Sequence, residues 1–248
     1  MGSRRQAEAS DHRPTGPGGR VTVRPGPAVL PPSLRAWLGL IAGLAALVVV
    51  ALGVLYADHG EPGEVDRWVI QPTADSVGPP WRRVALVLDF LGEPAGAVML
   101  VAAAVTGWLL LRRPRAAVFV VAGVGAAVGT ATLLKYLVGR TIHGDGNLSY
   151  PSGHTAFFTA LALVVALLVT GRPGLGRTAR TLLVLTAALV AGAAMGWAQV
   201  ALSAHYPTDV LGGWCTALAV VPATAWLIDR TADRLAPRRT DAGRRARR

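Results

Sequence analysis

Three short polar clusters interrupt an otherwise apolar chain: residues 135–140 (KYLVGR), 150–154 (YPSGH) and 205–209 (HYPTD). Lys135 is the only lysine among 25 basic residues. A lysine at the end of a membrane helix can simply snorkel, but its compact charge also suits phosphate oxygens. The planar fork of Arg140 suits them too, although a lone loop arginine is as often an ordinary charge. Ser152 has the type and position of an N-cap. Beside it, Gly153 lets the backbone come close to a ligand, and the free N–H groups of that first helical turn favour an anion. A capping serine explains Ser152 but leaves His154 unexplained. His205 and Asp209 stand four residues apart, with Pro207 suited to the first turn of a following helix. Asp209 can then hold one ring nitrogen of His205 and leave the other as a nucleophile. A single histidine more often just satisfies a polar pocket. Two histidines, an aspartate, a lysine and an arginine at one level are poorly explained that way.

These clusters need elements that bring them together. Six apolar segments do so: Ala36–Tyr56, Pro94–Leu111, Ala116–Val138, Thr155–Gly171, Thr181–Leu202 and Val210–Ile228. Each is close to the ~20 residues a helix needs to cross a bilayer, and unpaired backbone groups in lipid leave the helix as the expected form. Abundant alanine, glycine and valine predict close packing. Consecutive spans alternate in direction, so all three clusters fall on one side at one depth. Ionisable groups there are expensive and usually functional.

Composition agrees. The chain has 248 residues, 52% hydrophobic and 16% charged. That is too apolar for a soluble domain and excludes disorder over most of the length. One cysteine, Cys215, excludes a disulfide scaffold and a cysteine zinc cluster. The net charge of +11 is distributed as topology rather than as a nucleic-acid footprint. With the N-terminus inside, 20 of the 25 basic residues fall on inside segments. Both termini are therefore expected in the cytoplasm, and no nucleic-acid partner is expected. We expect residues 1–35 to be a disordered basic tail, residues 36–228 one membrane domain, and residues 229–248 a second basic tail able to meet anionic lipid. The outer segment Ala57–Glu93 contains an apolar run, Val84–Leu91, broken by Asp89. It reads equally as an interfacial helix or a folded loop capping the bundle. A zinc site from His143, Asp145, His154 and His205 is the less favoured reading of those side chains.

The chain resembles the type 2 phosphatidic acid phosphatase superfamily, over about residues 84–228. The marks are Pro151-Ser152-Gly153-His154 followed by Thr155 and Ala156, and 205–209 followed by Val210, Leu211, Gly212 and Gly213. The resemblance implies an all-α polytopic membrane protein with six transmembrane helices in a bundle and its site at the outer face. It implies hydrolysis of a lipid-linked phosphate or pyrophosphate, of prenyl pyrophosphate or phosphatidic acid type, without metal or other cofactor. His205 would be the nucleophile that forms a phosphohistidine, Asp209 its orienting partner and His154 the general acid. Lys135, Ser152 and the Gly153 N–H would hold phosphoryl oxygens, with Arg140 as an added phosphate ligand. In a bacterium the site would face the periplasm or exterior of the plasma membrane. Two family arginines are replaced. Their positions hold Ile142, followed by His143 where the family has proline, and Gln199, preceded by Ala198. His143 and Gln199 are therefore secondary candidates for the phosphate site. The replacements also keep a second expectation in view, a non-hydrolytic phospholipid-binding or lipid-transport protein of the same fold.

Overall fold

A computed structural model describes residues 28–171 and 174–235. The described chain is built of helices: α1 Arg35–Leu55, α2 Glu64–Ser76, α3 Pro79–Gly92, α4 Pro94–Leu110, α5 Pro114–Val138, α6 Gly153–Thr170, α7 Arg177–Ala201 and α8 Pro207–Leu235. Among the described residues the β content is one isolated bridge, Thr141 with Leu148. Helices α1, α5, α6, α7 and α8 are each long and apolar enough to cross a membrane. The chain is a multi-pass membrane protein.

The second expected span is shorter than the others. Helix α4 has 17 residues, about 25 Å of rise. It reaches spanning length only together with α3, from which it is bent by 68°. The bend has a local cause. Pro94 opens α4 and disfavours helical geometry at the residue before it; Glu93 takes φ −67° and ψ 161°. The outer segment 57–93 thus folds as two helices, and both turn a carboxylate toward the bundle.

Helix α6 forms the middle of the bundle, packed against α3, α5, α7 and α8. Its buried face, including Ala160, Leu163, Val164 and Leu167, meets Phe119 and Val120 of α5 and Val221 of α8 in one core. Small residues allow the approach: a Cβ on Gly123 of α5 would press on Val164. Helix α1 lies against α8 and exposes Leu40, Leu44, Leu47 and Val54, as a lipid-facing helix should.

The end of the bundle away from the three polar clusters has its own anchor. Asp229 of α8 is buried and accepts the backbone N–H groups of Val29 and Leu30, each at 2.9 Å. Arg115 pairs with it at 2.6 Å, and Arg35 approaches to 3.9 Å. Residues 28–34 are ordered on the bundle, with Val29, Leu30 and Leu34 buried, because Asp229 needs donors and three apolar side chains need cover. Helix α8 continues to Leu235. Residues 1–27 and 236–248 of the expected tails lie outside the described residues.

Candidate active site

Helix α5 ends at Gly139, whose left-handed φ of 67° reverses the chain. Lys135 sits in the last turn before it. Its ammonium donates to the carbonyls of Leu148 and Ser149, so the connection to α6 folds back over the end of α5. Ser152 then caps α6 as expected: its hydroxyl oxygen accepts from the Thr155 N–H at 3.4 Å and the Thr155 hydroxyl at 3.1 Å. The Ser152 N–H donates to the Asp209 carbonyl at 2.9 Å, which ties the second cluster to the third. A Cβ on Gly153 would meet nothing within 4 Å. The first turn of α6 therefore opens onto free space beside His154.

On the other side, α7 ends at Ala201. The Ala204 N–H returns to the Gln199 carbonyl at 2.9 Å and Ser203 takes φ 57°. The turn presents His205 just before α8. Its Nδ1 lies 3.7 Å from Asp209 Oδ2, and its side chain is 10% exposed. That distance is too long for a hydrogen bond, but catalytic contacts of this kind often tighten only around substrate. Burial pushes the His205 pKa below the ordinary imidazole value, and the Asp209 carboxylate pulls against that shift.

Arg140, expected as a phosphate ligand, lies in a fully buried network. Nη1 donates to Asp209 Oδ1 at 2.7 Å and to the Thr208 hydroxyl at 2.6 Å; Nη2 donates to Asp66 Oδ2 at 2.8 Å. The guanidinium lies over the Tyr56 ring at 4.0 Å and the Tyr206 ring at 4.5 Å. A cation removed from water needs such partners. Arg140 thus supports Asp209 from behind and does not face the open space.

Asp66 was not singled out from the sequence. It is buried on α2, accepts from the Thr208 N–H at 2.9 Å, and meets the Thr208 hydroxyl at 3.0 Å. It caps the start of α8 from another helix, where a carboxylate is favourable. In the sequence it is one of seven acids in the outer segment 57–93. Asp89 left a clearer signal, because it breaks an apolar run. Its Oδ1 lies 3.5 Å from His154 Nε2 and accepts from Gln199 Nε2 at 2.8 Å.

The remaining candidates separate. Gln199 is buried and committed to Asp89. Ile142 is buried. His143 is exposed, and its Nε2 lies 2.7 Å from the Ser203 carbonyl oxygen. Among the described residues no three His, Cys, Asp or Glu side chains form a group that could hold a metal ion, the expected set of His143, Asp145, His154 and His205 included. Lys135, Gly153, His154, His205 and Asp209 do converge at one end of the bundle.

Comparison with known proteins accords with this geometry. The model of the PAP2 superfamily matches residues 116–232. A search of curated proteins finds no match. Among solved structures, a transmembrane PAP2-type phosphatidylglycerolphosphate phosphatase from Bacillus subtilis superposes with a TM-score of 0.61 at 19% identity. The alignment covers 80% of this chain and 98% of that one, and it establishes a shared fold. Over this segment, residues 116–232, the chain is similar to the PAP2 superfamily.

Proposed function

We propose that this protein is an integral-membrane lipid phosphatase that hydrolyses a lipid-linked phosphate or pyrophosphate through a phosphohistidine. The observation that carries the reading is the convergence of His205, backed by Asp209, with His154 and the open first turn of α6. Backbone N–H groups at a helix start stabilise phosphoryl oxygens, and Lys135 adds the positive charge beside them. Equatorial charge in phosphoryl transfer needs such fixed donors more than covalent help.

In the first step the Nε2 lone pair of His205 attacks phosphorus and the bond to the leaving oxygen breaks. His154 delivers a proton to that oxygen. In the second step water attacks phosphorus, the P–N bond breaks, and His154 takes the proton from water. Asp209 holds the imidazolium that develops on His205. The neighbour from Bacillus subtilis bears the name of a phosphatidylglycerolphosphate phosphatase; lipid phosphates of that kind, phosphatidic acid and prenyl pyrophosphates are the candidate substrates here. The arginine asymmetry supports a site on the outer face of the plasma membrane, with both termini in the cytoplasm.

The test is phosphate release by purified protein in detergent, with EDTA present, from a panel of these lipids. Release that His205→Ala reduces by a factor of 10³ or more supports the reading. A folded protein that releases nothing from any lipid overturns it. That result would favour phospholipid binding or transport, which the neutral Gln199 and buried Ile142 at two family arginine positions also support.

A further inference from the structure

We propose that Asp89, held in place by Gln199, is the positioning residue for His154, orienting its ring and balancing its charge as a general acid. The inference rests on the phosphatase reading above. It adds a residue from α3, outside the matched segment 116–232.

Three observations place Asp89 in this role. Its Oδ1 lies 3.5 Å from His154 Nε2, at the outer start of α6. The same oxygen accepts a 2.8 Å hydrogen bond from Gln199, a fully buried residue of α7. And the elbow between α3 and α4 lies directly on the ring: a Cβ added to Gly92 would run into His154 Cδ2. The imidazole is therefore bounded by the elbow and faced by a carboxylate that a third helix holds still.

The charged or titratable groups acting on His154 are Asp89 and Glu93 from the elbow, Lys135 from α5 and His205 from the loop before α8. The two carboxylates offset the two potentially cationic groups. Of the two, Asp89 is the one in ion-pair reach of the ring. The choice of glutamine at position 199 follows. An arginine there would compete with His154 for the Asp89 carboxylate, whereas an amide fixes the carboxylate and leaves its charge to the imidazolium.

The role makes a demand that mere structural support does not. An aliphatic alkoxide is a poor leaving group and needs the proton from His154 as its P–O bond breaks. A nitrophenolate leaves without one. The bonds are the same in both cases: P–N to His205 forms, P–O breaks, and only the alkyl substrate requires the transferred proton.

The experiment compares a short-chain phosphatidic acid with 4-nitrophenyl phosphate, using wild type, Asp89→Asn and Gln199→Leu in detergent. The expected result is a kcat loss for Asp89→Asn on the alkyl ester at least tenfold larger than on the aryl ester. Gln199→Leu should show a smaller split in the same direction, since Asp89 remains but is less restrained. Equal losses on the two esters, or no loss on either, overturn the proposal while leaving a phosphatase in place. A wild-type protein that hydrolyses neither ester nor any lipid of the panel overturns the phosphatase reading itself, and this inference with it.

Discussion

Arg140 has the most partners of any side chain in the site, and all of them lie behind the open space. It joins Asp66, Thr208 and Asp209 with no exposure to solvent. Removing one member of such a group strands a buried charge, which costs about 3–5 kcal/mol. Asp66→Ala and Arg140→Ala should each lower thermal stability in detergent by that order. The double variant should lose clearly less than the sum, because the second change removes the stranded partner. Additive losses would show that the two side chains act independently. His205 makes a prediction about pH. The nucleophilic role proposed for it needs the neutral ring, and burial lowers its pKa. Its contribution to kcat/KM should therefore persist below pH of about 6.5, the ordinary imidazole value. The acid limb should appear only as pH falls through the lowered value. A pH–rate profile whose acid limb lies above that value would contradict the assignment.

At the level of elements, the site depends on how closely helices approach one another. Gly212 and Gly213 of α8 lie against the Tyr150 ring and the Ser152 carbonyl, where a Cβ would collide with each. They let α8 bring Asp209 within 2.9 Å of the Ser152 N–H. Gly213→Val meets a backbone carbonyl rather than a flexible side chain, so it should destabilise by about 1–3 kcal/mol. It should also cut kcat more than an equally bulky change at Gly125, where a Cβ meets nothing within 4 Å. Thermal melts and turnover measured on both variants separate the two positions. The α3–α4 elbow is the other sensitive contact. Gly92→Ala forces either the elbow or His154 to shift, and turnover should fall with little change in melting temperature.

The whole molecule is organised with one polar cluster at each end of an apolar bundle. Asp66, Asp209 and Arg140 tie α2, α8 and the end of α5 at the end that carries the three polar clusters. Asp229 ties residues 29 and 30 and Arg115 at the other. Deletion of residues 1–27 serves as the reference truncation. Extending the deletion through residue 31 strips Asp229 of two backbone donors and removes the buried Val29 and Leu30. A loss of about 2–4 kcal/mol is expected, read as a lower melting temperature for the longer truncation alone. Equal melting temperatures would show that the 28–31 segment contributes no anchor.

The sequence by itself determined the membrane-spanning character and five of the spans. Runs of about 20 apolar residues admit one spanning structure in lipid. Alternating spans then bring residues 135, 154, 205 and 209 to one side without any knowledge of packing. Ser152 was legible as an N-cap because capping is local. Only the tertiary structure decided what surrounds those residues. Arg140 reads as a phosphate ligand from its type, but its hydrogen-bond partners lie 68 to 74 residues away in the chain. Asp66 carried no local mark, because its importance comes from meeting the start of α8 across the fold. Gln199 read as a lost cation until Asp89 stood beside it. Spans and caps follow from a residue's near neighbours and its solvent, whereas the partners of a buried charge depend on which helices pack together.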